Sequence, residues 1–483
     1  MGFHLTRWRS VRRPVVTQDI ADQATVLSQM HLAEESLRAA ARWERNFSAG
    51  RVLVRDLCPL GSHHYATDAL LTTTLAHIPC EMREPIAYTT RNAELPEMPQ
   101  IEMLAAKLAS PEWGALIACA TSTRAVEEVA GLLRDADCER LLALAENHGV
   151  MPLLAAALLS LPHNAISETI RAELSEHQRA HHFFTLRMSA ELFRLTDLFA
   201  AQNIGVLLVK GPALAMQAYG EAAMRTYGDL DLLVRHADVA RATKLMTDAG
   251  YEAHVPLTAI AAGKIPGQYM FRQRAAKLLV ELHNDRTMRY YPRPLPIEEL
   301  FARRVQVAMD GRGVPAPCIE DHLVLICIHG AKHFWERLQW IADVAALVSR
   351  QPNMNWEQAS RSARAVGAET MLHAGLLLAV TVFQTALPTA VRARAEADRS
   401  ARKITEQALR WLPAAGYAPP SLRQRALFRM RMRGGSVSGA NYLLRMLVSP
   451  TEEDWSSDGT AAHGLLNVLR RPFRLAKKYA SKP

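Results

Sequence analysis

The sequence predicts an α+β protein in which a small mixed-sheet unit is flanked by helical regions, and three observations carry that expectation. Apolar residues recur at three and four spacing through residues 106–200 and again through 297–412. Between them, in 201–296, short β-rich runs take over: "GVLLV" (205–209), "LDLLV" (230–234) and "KLLVELH" (277–283). Composition leans the same way, since only 6% of residues are aromatic while Ala, Leu and Arg, all good helix formers, are abundant.

At 483 residues the chain exceeds what one ordinary core supports, and five segments are expected. Residues 1–105 are irregular, with turn-rich pieces such as "CPLGSHH" and "ELPEMPQ", and carry no assignable chemistry. Residues 106–200 form a helical region, with Gly and Pro as stops. Residues 201–296 form the α/β core, in which "ADVARATKLMTDAG" (237–250) is a helix leading into the extended "YEAHV". Residues 297–412 form a second helical domain packing on that core, opened by "IEDHLVLICIHGAKHFWERLQWIADVAALV" (319–348). Residues 413–483 are a basic tail.

The mean hydropathy of −0.06 describes a globular protein. The longest apolar run, "GLLLAVTVF" (375–383), falls well short of the roughly 20 residues of a membrane span and reads as a buried helix. No secretory signal is evident, and the six cysteines are scattered without a C-x-x-C pair, which points to a reducing cytoplasm. The net charge of +9 is concentrated at the end of the chain, where residues 421–483 hold twelve Lys and Arg against four acids. Such a tail suits nucleic acid, anionic lipid or an acidic partner, and charge alone does not choose among them. Its stretch "HGLLNVLRRPFRLAKKYA" has the pattern of an amphipathic helix interrupted at Pro472, expected to dock its apolar stripe on the helical region.

The chemistry is expected in the α/β core. Side chains of a strand alternate faces at about 3.3 Å per residue, so Asp229 and Asp231 share one face with Cβ atoms roughly 7 Å apart, while Leu230 and Leu232 point into a core. Two like charges are tolerated there if a cation lies between them, and hard oxygen donors suit Mg²⁺. Glu281 stands isolated in its own strand, on the same face as His283. Beside the first strand it would complete a set of three carboxylates able to hold two divalent ions for an in-line displacement at phosphorus. Upstream, "VLLVKGP" ends a strand on Lys210 and Gly211 before a helix running from Pro212 to about Tyr219, a junction at which backbone N–H groups can approach a phosphate. "HGAKH" sets His329 and His333 on one helical face, where they either share a metal, face the catalytic sheet with Lys332 to meet a nucleotide or acceptor, or serve as ordinary helix residues. His177 and His181, also four apart, sit in the polar "EHQRAHHFF" and are expected on a solvated face.

The run "KGPALAMQAYG…MRTYGDLDLLV…ADVARATKLMTDAGY…VELH…HGAKHFWERLQWIADVAALV" resembles a largely uncharacterised bacterial nucleotidyltransferase family within the DNA polymerase β-like superfamily. The resemblance covers about 138–347, and "SPTEEDW" with the basic "LRRPFRLAKKY" is similar to the way members of that family often end. It implies a polymerase β-like mixed-sheet core in which Gly211 supports the phosphates, Asp229 and Asp231 bind Mg²⁺ and Glu281 completes the catalytic triad. The superfamily turn is usually Gly-Gly or Gly-Ser, whereas Pro212 follows Gly211 here and removes one N–H. Lys210 and Arg225 are the cations placed in sequence to meet a triphosphate, with Lys332 beside them; His283, His329 and His333 are further contacts for nucleotide or acceptor.

The expected activity is therefore Mg²⁺-dependent transfer of a nucleoside monophosphate from an NTP to an unidentified acceptor, a small molecule, peptide or protein, with release of pyrophosphate. The second reading is an inactive nucleotide-sensing or scaffold protein of a biosynthetic or antitoxin-like assembly. A further expectation is that Asp231→Asn relieves repulsion and leaves the metal-free protein as stable as before, or slightly more so.

Overall fold

The computed structural model describes residues 108, 110–121, 126–261, 267–273, 277–286, 293–414, 421–434 and 439–440. The irregular segment 1–105 and the amphipathic stretch of the basic tail lie outside the described residues.

The described residues open with helices α1 (Pro111–Cys119), α2 (Val126–Leu133), α3 (Cys138–Asn147), α4 (Met151–Leu159) and the long α5 (Glu168–Ala201). Local chemistry sets several of their starts. Ser110, Asp137 and Ser167 each accept a backbone N–H of the first turn, from Trp113, Arg140 and Ile170. The mixed α/β unit follows: β1 (Val206–Leu208), α6 (Gly211–Tyr219), β2 (Asp229–Val234), α7 (Val239–Asp248), β3 (Glu252–Ala253), α8 (Leu257–Ala261), β4 (Gln268–Gln273) and β5 (Leu278–His283). After α9 (Ile297–Ala302) comes a hairpin of β6 (Val305–Met309) and β7 (Arg312–Ala316). The chain then continues through α10 (Ile319–Lys332), α11 (Leu338–Ser349), α12 (Trp356–Val366), α13 (Glu369–Phe383), α14 (Thr389–Ala397), α15 (Arg399–Trp411) and α16 (Leu422–Arg431). The fold is α+β, and the apolar run at 375–383 is the buried end of α13.

The five-stranded sheet has the order β1-β2-β5-β4-β3. β2 and β5, distant in sequence, lie side by side and parallel with Asp231 opposite Glu281, while β1 and β4 flank them antiparallel. Alternation decides which face each residue serves. Leu230, Leu232, Val234, Leu278, Val280 and Leu282 pack with Phe271 and with Met188, Leu192 and Phe199 of α5 and Met246 of α7. On the other face Leu207, Val209 and Leu233 join the larger helical core that includes α10, α11 and α13. The sheet is thus held between helices on both sides, and its acidic residues are drawn onto the face that meets α10 and α11.

Two elements escaped the sequence reading. β4 was not read as a strand, and the hairpin β6–β7 sits in a region read as helical. Its signal is "MDGRG": Asp310 and Gly311 take φ of 46° and 77°, the left-handed pair that closes a two-residue hairpin, for which Asp-Gly is a favoured sequence. Val307, Met309, Val314 and Ala316 anchor it under the sheet. The expectation of a solvated face for His177 and His181 fails for His181, which is 3% exposed, with its ring centroid 6.3 Å from that of His177.

Buried histidines should make the fold acid-sensitive. His148 joins the first helical region to α11, its Nδ1 accepting the Leu338 N–H at 3.2 Å, while His322 of α10 bonds Gln217. Burial pushes His148 down to about 3, and His181 and His322 down to about 4. A histidine kept neutral in the fold but protonated near pH 6.5 when unfolded contributes stability that is complete above pH 6.5 and lost as pH falls towards 4. Each such group is worth about 1.4 kcal/mol for every pH unit of that window, so the three together should cost several kcal/mol. Denaturant midpoints measured between pH 7.5 and 4.5 should fall steeply below 6.5; a flat profile would refute this account.

Candidate active site

The turn from β1 into α6 positions the first site residues. Gly211 opens α6 with φ of 56°, a left-handed conformation that a side chain resists, and a Cβ there would sit 3.5 Å from the Asp229 carbonyl oxygen. α6 closes on Gly220 with φ of 85°, a left-handed cap. Lys210, at the N-cap of α6, turns its Nζ onto Asp231 Oδ1 at 2.7 Å.

The parallel register brings the acids together. Asp231 and Glu281 are directly paired across β2 and β5, Asp229 precedes Asp231 on the same face, and His283 follows Glu281 on its own. His283 Nε2 lies 2.8 Å from Asp231 Oδ1 and 3.4 Å from Glu281 Oε2. Gln268 of β4 donates its Nε2 proton to Glu281 Oε2 at 2.6 Å. One donor atom each from Asp231, Glu281 and His283 falls within 4.8 Å of the other two.

The charges in this cluster are divided unequally. Burial and the neighbouring carboxylates of Asp231 and Glu281 push Asp229 up to about 7. Burial acts on Asp231 in the same direction, but the Lys210 ammonium and the His283 ring outweigh it and hold Asp231 below the usual carboxylate range. Glu281 is likewise held down against its burial, first by its bond to His283. Burial opposes charge on His283 and Lys210, but the surrounding carboxylates hold both above their ordinary values. Three carboxylates on one face with an imidazole among them have the donor set to take up a divalent cation, so the residues present fit a bound metal.

Arg225 is placed elsewhere. Its Nε lies 3.1 and 3.0 Å from the two carboxylate oxygens of Asp343 in α11, with Tyr219 donating to the same carboxylate at 2.9 Å. Arg225 is 6% exposed and Asp343 is 1% exposed, so the pair is a buried clasp between the loop before β2 and the helix above it. Gln339 supports that loop by donating to the Thr226 carbonyl at 2.7 Å. A sequence signal for Asp343 existed: one acid inside the apolar "WIADVAALV" of α11 demands a buried cation.

The helical "HGAKH" motif falls at the end of α10. The rings of His329 and His333 have centroids 4.7 Å apart, and Trp340 meets them at 5.6 and 5.2 Å. Both histidines are held well below their ordinary value, His329 by burial and then by the charge of Lys210, His333 by burial and then by Lys332 and Lys210. Lys332 lies half-buried in the last turn. Two imidazoles and an indole thus group together at the end of α10, with both imidazoles within reach of the Lys210 charge. Trp340 and Gln268 were not singled out from the sequence; Gln268 belongs to the strand that was not recognised.

A crystal structure of an antigenic nucleotidyltransferase-like protein from Paracoccidioides brasiliensis is 16% identical, over 41% of this chain and 95% of that one, with a TM-score of 0.25. No curated protein matches the chain. Residues 134–384, which contain every site residue from Lys210 to His333, match a family described as uncharacterised nucleotidyltransferases, and the chain belongs to that family.

Proposed function

We propose that the protein is a Mg²⁺-dependent nucleotidyltransferase with a polymerase β-like core at 201–296, transferring a nucleoside monophosphate from an NTP to an acceptor hydroxyl or amine in the cytoplasm. The observation that carries the reading is the juxtaposition of Asp231 with Glu281 on adjacent parallel strands, with Asp229 on the same face and Lys210 at the turn beside them. Membership of a nucleotidyltransferase family supports it. Among the described residues no helix is long and apolar enough to cross a membrane.

Asp229, Asp231 and Glu281 would hold the Mg²⁺ ions, which when bound supply charge neutralisation at the triphosphate and acidify the acceptor. The acceptor oxygen or nitrogen bonds to the α-phosphorus as the bond from that phosphorus to the bridging oxygen breaks, and pyrophosphate leaves with that electron pair. Glu281 draws the acceptor proton. Lys210, released from Asp231, meets the polyphosphate, while Gly211 lets the backbone at the start of α6 come close to it. Arg225 fixes the loop before β2 through Asp343, which keeps Asp229 and Asp231 in register. His329, Lys332 and His333 line the approach of nucleotide or acceptor.

The second reading, an inactive nucleotide-sensing or scaffold protein, is favoured by one observation: Lys210 and His283 already occupy Asp231. Incubation of the purified chain with labelled NTPs, Mg²⁺ and cell extract, followed by mass spectrometry of whatever gains a nucleotide, separates the two. Lys210→Ala should weaken NTP binding at least about tenfold while changing nucleoside binding little, because the lost interaction is with phosphate charge. Equal loss for both ligands would make Lys210 a structural residue only.

A further inference from the structure

We infer that His283 is itself a metal ligand, and that Asp231, Glu281 and His283 form a mixed carboxylate–imidazole position that takes Mn²⁺ in preference to Mg²⁺. This rests on the nucleotidyltransferase reading only for the use made of the ion; the position itself is argued from its donor atoms.

Strand geometry makes the arrangement. Glu281 and His283 are two apart in β5 and so share a face, and the parallel pairing sets Asp231 opposite Glu281 and Leu233 opposite His283. A carboxylate on one strand and a carboxylate and an imidazole on the next therefore point into the same space, with backbones fixed by a continuous ladder. Two donors each about 2.1 Å from one ion are about 3.0 Å apart when at right angles to each other. The observed separations, 2.8 Å from His283 Nε2 to Asp231 Oδ1 and 3.4 Å to Glu281 Oε2, bracket that spacing, and all three donors lie within 4.8 Å. Small side-chain movements bring them onto a common ion. Gln268 steadies the ligand oxygen of Glu281 from β4, the kind of outer support that orients a metal-binding carboxylate.

The donor set decides the class of ion. Mg²⁺ favours six oxygens and gains little from a nitrogen donor, whereas imidazole suits first-row transition ions, among which Mn²⁺ also accepts carboxylate readily. Lys210 Nζ rests on the same Asp231 oxygen that His283 approaches, so an ion at this position displaces the ammonium and turns it towards the nucleotide side. Asp229, on the same face but outside this donor group, is left for a second, all-oxygen position shared with Asp231.

The test uses the full-length protein with Mn²⁺ alone, followed by pulsed electron paramagnetic resonance. The expected result is nitrogen modulation from a directly bound imidazole, replaced by the ¹⁵N pattern when the protein is grown on ¹⁵N-histidine. His283→Gln should abolish the modulation and weaken Mn²⁺ binding at least about tenfold, with Mg²⁺ affinity changed less than about threefold. Bound Mn²⁺ without histidine modulation in the unmutated protein, absence of Mn²⁺ binding at millimolar concentration, or modulation that persists in His283→Gln each overturns the inference, and the isotope arm does not depend on how the variant folds. A separate transfer assay keeps the two ideas apart. Nucleotidyl transfer without imidazole coupling sinks this inference alone, and coupling without transfer to any acceptor sinks the functional reading alone.

Discussion

Asp231→Asn should lower kcat for nucleotidyl transfer by on the order of a thousandfold or more, because an amide keeps the shape of the carboxylate but neither its charge nor its capacity to hold a cation. The same substitution should cost the metal-free protein about 1–3 kcal/mol of stability. That sign reverses the expectation drawn from sequence, in which relief of repulsion was to leave the protein unchanged or firmer. The structure shows why: Asp231 is the acid on which Lys210 Nζ and His283 Nε2 both converge, at 2.7 and 2.8 Å, and its carboxyl is 98% shielded from solvent. Removing its charge leaves the buried Lys210 ammonium short of an anion and takes from His283 the carboxylate it is bonded to, a loss softened by Asp229 and Glu281 nearby. Thermal melts and transfer rates measured on the same preparation decide the matter. A variant that melts higher than the parent, or one that turns over normally, contradicts the reading of the cluster given above.

Trp335→Ala should be the most damaging single change to the fold among those considered, at about 3–5 kcal/mol. Trp335 is fully buried in the turn between α10 and α11, and it follows Phe334 with both residues in the left-handed region, at φ of 61° and 56°. Two consecutive non-glycine residues in that region are strained, so packing must hold them there. The Trp335 indole lies against Gly330 of α10 and Gly375 of α13, so closely that a Cβ at Gly330 would come within 2.4 Å of the ring. The backbone N–H of Trp335 donates to the Gly330 carbonyl at 2.8 Å, and Phe334 meets Phe428 of α16 at 5.2 Å between centroids. Gly330→Ala should accordingly destabilise by about 1–3 kcal/mol through overpacking. Because this turn carries His333 and leads to Trp340, both variants should also weaken ligand binding at the site in whatever fraction remains folded. Denaturant unfolding measures the first effect; a Trp335→Ala protein as stable as its parent would show that the ring does not hold the turn.

The acidic strand was readable from sequence because period-2 alternation is a local property. Leu230 and Leu232 could only face a core if Asp229 and Asp231 faced the other way, and the strand-to-helix turn at Lys210 and Gly211 announced itself through glycine at the junction. The same logic placed Glu281 and His283 on one face of their strand. The α+β class was equally legible, since the change of hydrophobic period near residue 201 coincides with the end of α5 at Ala201. The short strand β4 was not, because a brief run such as "QYMFRQ" gains its stability from pairing with β3 and β5 rather than from its own pattern, and of the hairpin β6–β7 only the Asp310-Gly311 turn carries a local signal.

The sequence by itself determined the alternation that sets Asp229 with Asp231, and Glu281 with His283, on one face of each strand, and which family the chain resembles. Tertiary structure alone decided who neutralises whom. That β2 and β5 run parallel with Asp231 opposite Glu281, that Lys210 and His283 both close on Asp231, and that Arg225 is spent on Asp343 are consequences of packing elements up to 118 residues apart in the chain. Electrostatic energy falls off with distance in space and is indifferent to distance in sequence, so the division of charge within the site appears only once the sheet is assembled between its helices.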